Sequence, residues 1–255
     1  MRKIPELKCF LEEKYLLFNQ PEFVTNDPIS IPHLFNKKED IEIAAFLTAS
    51  ITWGKREQTI KNARLLMKLM ENTPHDFVLN AGKEDKIVLN KFVHRTFNGS
   101  DCLFFLEALK NIYINHGGLE QLFTNEFTAN NTKLAISNFR KVFFKISHLN
   151  RNEKHIANPA KGSAVKRINM FLRWMVRNDN RGVDFGLWKN ISPAKLMIPL
   201  DVHSGNVARK LNLLKSNQNN WNSVEELTLN LKEFDSTDPV KYDFALFGLG
   251  IFEKF

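Results

Sequence analysis

The chain has 255 residues, 43% of them hydrophobic and 25% charged, which is enough apolar mass for a sizeable core and excludes a disordered polymer. No uncharged apolar run approaches the ~20 residues of a membrane span, and the start, Met1-Arg-Lys-Ile-Pro-Glu, has no apolar segment behind its charges, so a cytoplasmic protein that does not engage a membrane is expected. Two cysteines, Cys9 and Cys102, are too few for a four-cysteine zinc or iron–sulfur site and a poor disulfide framework. Neither a metal nor any other cofactor is expected.

Taken in order, the segments read as helices, because apolar residues recur at three and four rather than at two. The first is predicted at 6–18. The run Glu39-Asp-Ile-Glu-Ile-Ala-Ala-Phe-Leu-Thr-Ala-Ser-Ile-Thr-Trp53 reads as a mostly buried helix stopped by Gly54, and another follows at 56–71. Between them, the Trp53-Gly54-Lys55-Arg56 turn is either plain helix punctuation or a wedge into DNA with basic flanks Lys55 and Arg56. Asp101 is a predicted N-cap for a helix over 102–115 ended by Gly117-Gly118, and further helices are predicted at 118–128 and 131–147. A loop over 148–162 precedes a helix at 163–177. Residues 178–199 form a long connection with room for a short helical turn. Helices at 202–213, 222–233 and 239–249 complete the chain, the last opened by Asp238-Pro239 as N-cap and N1. The reading is an all-α chain of about ten helices.

Charge is unevenly spread. Residues 133–177 hold eleven basic residues (Lys133, Arg140, Lys141, Lys145, Arg151, Lys154, Lys161, Lys166, Arg167, Arg173, Arg177) and one acid, Glu153, for a net of +10, so the rest of a chain whose total is +8 nets −2. A local positive field on a near-neutral body is the footprint of a polyanion binder, or of a solvated basic face. In the helix at 163–177, Val165, Ile168, Phe171, Leu172 and Met175 gather on one side at 100° per residue. Opposite them Lys166, Met170, Arg173 and Arg177 form a single stripe, for which an anion is the natural partner. Ahead of it, Gly162-Ser163-Ala164 is suited to a tight turn whose N–H groups meet a phosphate at the helix N-terminus. Further along, Asp201 follows Pro199-Leu and opens a helix. Alone it would be an ordinary capping carboxylate.

The order of these two stretches adds a second meaning. Gly162-Ser-Ala164-Val-Lys166, followed by Pro199-Leu-Asp201-Val-His203 with Lys210 at a basic position nine residues beyond the aspartate, resembles the helix-hairpin-helix DNA glycosylase superfamily. Asp27-Pro28 and the apolar helix over 41–51 look like the opening of the same fold. The chain departs from the pattern in three ways: Ala164 replaces the second hairpin glycine, Asn206 stands where the family often has Arg, and Lys166 and Asp201 are 35 residues apart, the extra length lying in 178–195. The likeness is nearest to the archaeal 8-oxoguanine glycosylases. The phrases His94-Arg-Thr-Phe, Lys166-Arg-Ile-Asn-Met-Phe-Leu-Arg-Trp-Met-Val-Arg177 and Asp238-Pro-Val-Lys-Tyr-Asp-Phe-Ala-Leu-Phe-Gly-Leu-Gly250 look still more like an uncharacterised bacterial family of about this length.

The resemblance implies a two-lobed fold, with a helical barrel over 40–177 ending in the hairpin, a second lobe from 1–39 plus 195–255, and the site between them. It implies a Schiff-base lysine at Lys166 and a catalytic aspartate at Asp201. Double-stranded DNA would then meet Gly162, Ser163, Ala164, Arg167, Arg173, Arg177, Lys55, Arg56 and Lys210. An extruded base would stack among Trp53, Trp174, Phe185 and Trp188, each of which is otherwise a core or loop anchor. The expected activity is excision of an oxidised purine by a monomeric, nucleoid-associated glycosylase/lyase. A non-catalytic DNA-binding protein of the same fold is the alternative.

Overall fold

The computed structural model describes residues 4–127 and 131–255; the first three residues and the last residue of the helix predicted at 118–128 lie outside the described ones. The fold is all-α. Among the described residues strand pairing is confined to a two-residue hairpin, Val93–His94 with Phe97–Asn98, and one isolated bridge. Contacts divide the chain into two units, residues 24–157 and residues 1–23 with 158–255.

In the first of these, α3 (Lys38–Ser50) is buried continuously from Ile41 to Ser50. After Glu42 its sequence carries no charge, so every side of the helix is free to enter a core. Phe46 of α3 meets Phe105 of α7 (Gly99–Asn115), and also Phe139 and Phe143 of α9 (Thr132–Phe143), at ring-centroid distances of 6.0, 5.7 and 5.5 Å. Phe123 of α8 (Gly118–Glu126) stacks on Phe139 at 4.4 Å. This cluster accounts for much of the phenylalanine bias, since each ring buried contributes about 1.5–3 kcal/mol and has no polar atom to satisfy.

The predicted helices α1 (Ile4–Phe18), α3, α4 (Arg56–Leu69), α7, α8 and α9 are present. Three shorter helices accompany them: α2 (Pro21–Thr25), α5 (Pro74–Asn80) and α6 (Lys83–Leu89). Asp101 is not the N-cap of α7. Asn98 is, and Asp101 is the third helical residue, whose carboxylate accepts the Asn98 N–H at 2.9 Å. The same fully buried carboxylate accepts a hydrogen bond from Asn152 at 2.7 Å and pairs with Arg151 at 3.1 Å.

The second unit contains α1, α10 (Lys166–Val176), α11 (Val202–Lys210), α12 (Trp221–Lys232) and α13 (Tyr242–Ile251). Helix α13 is nearly all apolar and packs against α1 and α11. Glycine permits the approach: a Cβ on Gly248 would lie 2.1 Å from the Phe18 ring. The hairpin helix α10 belongs to this unit, because the connection after it folds back on its last turn. Phe185 N–H donates to the Trp174 carbonyl at 2.8 Å and Trp188 N–H to that of Met175 at 2.9 Å. Cys9 is exposed in this unit and Cys102 buried in the other, both as free thiols.

Gly99 offers a test of this packing. A Cβ there would fall 1.8 Å from the Asn90 carbonyl oxygen, which is backbone and cannot swing aside. Gly99→Ala is expected to lower the urea midpoint by an amount equivalent to roughly 1–3 kcal/mol. Gly182→Ala meets nothing within 4 Å and carries only the strain of φ +79°, so its loss should be smaller, about 1 kcal/mol.

Candidate active site

The hairpin before α10 is built by short-range bonds. Asn158 accepts the Ala160 N–H at 2.9 Å, Gly162 N–H donates to the Pro159 carbonyl at 3.0 Å, and Gly162 turns at φ +85°. The Gly162 carbonyl then accepts the Trp221 N–H at 2.9 Å, and Ser163 pairs with Asn220, fixing the hairpin to the head of α12. Ser163 N–H goes to the Asn158 carbonyl at 3.3 Å and Val165 N–H to Ser163 Oγ at 3.3 Å. The N–H groups of Ala160, Gly162, Ser163 and Val165 are therefore used inside the turn rather than presented to a phosphate. Ala164 is buried, and its carbonyl accepts from Asn169 Nδ2 at 3.2 Å.

Val165 sits at φ +41°, ψ +40°, left-handed backbone that a β-branched side chain rarely adopts. The conformation aims the chain into α10 and places Lys166 as its first residue. Strain of this kind persists only where the surroundings enforce it.

Lys166 Nζ lies 3.0 Å from Asp201 Oδ2, with 29% of the lysine side chain and 18% of the aspartate side chain exposed. The two carboxylate oxygens divide their work. Oδ1 caps α11 by accepting the Ser204 N–H at 2.9 Å, while Ser204 Oγ accepts the Asp201 N–H at 3.0 Å. Burial works against the Asp201 charge, but the Lys166 ammonium and the Ser204 N–H outweigh it and hold the carboxyl below its ordinary range. The reading as a helix cap and the reading as an ionised partner of Lys166 thus describe the same residue. His203 and Asn206 are exposed, and so is Lys210 at the end of α11, with its ammonium 5.8 Å from the Phe255 ring centroid.

The cationic stripe of α10 points inward, contrary to expectation. Arg173 is 4% exposed and Arg177 is fully buried. Arg173 hydrogen-bonds Asp243 and lies 3.3 Å from Asp184. Arg177 pairs with Asp184 at 3.1 Å, Asp238 at 2.8 Å and Asp179 at 2.7 Å, and donates to Tyr15 Oη at 2.9 Å. The anions that the stripe called for come from the chain itself. A charge count over 133–177 misses them, because these acids lie at 179–184 and 238–243. Two further members of the basic stretch are also paired: Arg140 with Glu153 at 2.5 Å, and Arg151 with Asp101. Arg167 is half-buried.

Burial disfavours the Arg177 charge, and Asp184, Asp238 and Asp179 more than restore it. In the opposite sense, burial raises the carboxyls of Asp238 and Asp243 against the pull of Arg177 and Arg173 respectively, Asp243 to about 6. Tyr15, Asp179, Asp184 and Asp243 were not singled out in the sequence, and Asp238 was read only as an N-cap, a bond its side chain does not make. The available signal was the run Ile168-Asn-Met-Phe-Leu-Arg-Trp-Met-Val176, whose apolar residues surround the helix and so require Arg173 to be buried with partners.

Of the proposed base-stacking residues, Trp174 and Trp188 are fully buried, Trp188 against Phe171 at 5.3 Å, and Phe185 is half-buried. Trp53, in the other unit, is half-buried, stacked on His155 at 5.8 Å and edge-on to His94 at 5.2 Å. Next to it Gly54 turns at φ +95°, leaving Lys55 exposed and Arg56 half-buried at the head of α4.

The family model described as "Protein of unknown function (DUF2400)" matches residues 27–252. The chain belongs to this family. The DUF2400 match takes in Lys166, Asp201 and all the acids that pair with the α10 arginines. Neither curated proteins nor solved structures include a match to the chain.

Arg177→Met leaves Asp179, Asp184 and Asp238 facing one another around an apolar side chain. It is expected to destabilise the protein by roughly 3–5 kcal/mol in urea unfolding. If the stability loss is below about 1 kcal/mol, the value of a surface ion pair, the buried network does not hold this unit together.

Proposed function

We propose that this protein is a DNA glycosylase with lyase activity, acting on an oxidised purine through Lys166 and Asp201. The observation that carries the reading is the 3.0 Å pair between the residue that opens the hairpin helix and the residue that caps α11, both reachable by solvent. Cleavage of an N-glycosidic bond sends the bonding electrons out with the base and leaves positive charge on the sugar. A fixed carboxylate stabilises that charge. Asp201 suits the task because it stays ionised; a carboxyl held below its ordinary range is a poor base and a good counter-ion.

Lys166 is the nucleophile. Its ammonium gives a proton to the departing base, the freed amine bonds C1′ as the bond from C1′ to the base breaks, and transfer of a second amine proton to the ring oxygen O4′ opens the sugar to an iminium, from which loss of a C2′ proton expels the 3′ phosphate and cuts the strand. Asp201 Oδ2 already accepts from Nζ and aligns it. Since Oδ1 is committed to the Ser204 N–H, the cap and the site are held by one side chain. The partner is double-stranded DNA. Of the basic stretch, Lys133, Lys141, Lys145, Lys154 and Lys161 make no ion pair among the described residues and remain available for phosphate contacts.

The test is incubation of the protein with duplexes carrying single lesions, 8-oxoguanine among them, in the presence of borohydride. Lys166→Gln is expected to abolish the trapped adduct while changing DNA affinity little, because it removes one charge of many. Asp201→Asn is expected to fold, since Asn caps as well as Asp, and to lose about two orders of magnitude or more in excision. Binding of DNA with no trapped adduct on any lesion would instead support a non-catalytic DNA-binding protein of this fold.

A further inference from the structure

Every polar atom of Asp201 other than Oδ2 has a partner apart from Lys166. Its N–H donates to Ser204 Oγ at 3.0 Å, its Oδ1 accepts the Ser204 N–H at 2.9 Å, and its carbonyl accepts the Gly205 N–H at 2.9 Å. These three bonds lie within the first turn of α11. A fourth comes from outside it: Asn219 Nδ2, in the loop over 211–220, donates to the same carbonyl at 3.0 Å.

Asn219 is aimed by Arg209. Arg209 Nη2 donates to Asn219 Oδ1 at 2.5 Å, and a guanidinium offers no acceptor, so the amide oxygen faces Arg209 and the amide nitrogen is left for Asp201. Arg209 is fixed in turn by loop carbonyls, donating to that of Ser216 from Nε at 2.7 Å and to that of Gln218 from Nη2 at 3.3 Å. Gly205 leaves the room for this arrangement. A Cβ there would stand 2.8 Å from Asn219 Oδ1 and 3.1 Å from Arg209 Nη1.

The two residues after Asn219 grip the other half of the site. Asn220 pairs with Ser163, and the Trp221 N–H donates to the Gly162 carbonyl at 2.9 Å. Asn220 also caps α12 by accepting the Ser223 N–H at 3.1 Å, which anchors the stretch at its far end. Three consecutive residues thus join the head of α11 to the hairpin that leads into Lys166, and the 3.0 Å contact between Lys166 and Asp201 closes the path into a ring.

Resting on the glycosylase/lyase reading, we propose that Asn219, aimed by Arg209, is a positioning residue for that reaction. By holding the Asp201 carbonyl it sets where Oδ2 stands, both against Lys166 Nζ and against the sugar on which positive charge develops. Its effect therefore falls on the excision step and not on the binding of DNA.

Amide exchange followed by NMR tests the hold without any substrate. Asn219 is exposed, so Asn219→Leu removes both amide bonds at little cost to packing. It is expected to speed exchange of the Ser204 and Gly205 amides about fivefold, the worth of one hydrogen bond, and to leave α13 unchanged. Unchanged exchange at Ser204 and Gly205, or a rise spread evenly over α11, α12 and α13, overturns the proposal.

Single-turnover excision is read alongside, with DNA affinity measured separately. Asn219→Leu is expected to lower the excision rate about ten- to a hundredfold while affinity stays within about twofold of the unaltered protein. Gly205→Ala reaches the same geometry from the other side. Its Cβ displaces the Asn219 amide, while alanine favours the helix more than glycine does, so excision should fall although the urea midpoint does not. Excision unaffected by Asn219→Leu, or lost in either variant only in step with the urea midpoint, overturns the proposal and leaves the glycosylase reading standing. Localised exchange with no excision by the unaltered protein on any lesion duplex does the reverse: Asn219 holds Asp201, and the glycosylase reading is removed.

Discussion

The buried Arg177 guanidinium is the constraint on which the C-terminal unit depends. Removing a guanidinium from water costs several kcal/mol, which is recovered only if every donor finds an acceptor in good geometry. Here the acceptors come from three separated places: Tyr15 of α1, Asp179 and Asp184 after α10, and Asp238 before α13. The Tyr15 and Asp238 contacts form only when segments from both ends of the chain are assembled. Burial of α10 and docking of α1 are thus one event. The unit's apolar contacts, such as α13 against Phe18, form around a polar core that must be completed at the same time.

The other unit solves its packing differently. Its center is a set of phenylalanine rings from α3, α7, α8 and α9, and its buried acids are closed off by partners within the same unit. Glu42 accepts from Tyr113 at 2.7 Å, and Asp101 is saturated by Asn98, Asn152 and Arg151. Burial and the Glu42 charge push the Tyr113 hydroxyl well above its ordinary range, so the proton stays between the two oxygens. Carboxylates consumed in this way are structural. In the C-terminal unit the carboxyls outnumber the cations that face them, and one of those cations, Lys166, is partly open to solvent.

Much of this was legible in the sequence, for reasons that particular residues make plain. Helical period in long segments such as 39–53 and 102–115 reflects a buried face that no other element can use. The two seven-residue helices over 74–80 and 83–89 carry too few turns to show a period, and they are defined by their starts, Pro74 in the first turn and Asp85 returning to the Gly82 N–H. For the site, Lys166 and Asp201 could be named because each is marked by local sequence, a glycine turn and a proline-led cap. The direction of the α10 stripe could not be read in the same way. A helical wheel gives relative angle and not which side is solvent, and the charges that decide it are outside the window.

The connection over 178–199 is long, yet it is bonded into the unit at several points. Its first residues supply Asp179 and Asp184 to Arg177, and its Phe185 and Trp188 N–H groups satisfy carbonyls at the end of α10 that would otherwise be orphaned. Helix α10 is in consequence pinned at both ends, by these bonds and by the Gly162–Trp221 bond at the hairpin. A rigid helix fixed at both ends sets where its first residue stands. The separation of Lys166 and Asp201 is then a property of the whole unit rather than of two flexible side chains, and the strained backbone at Val165 is the local cost of holding it there.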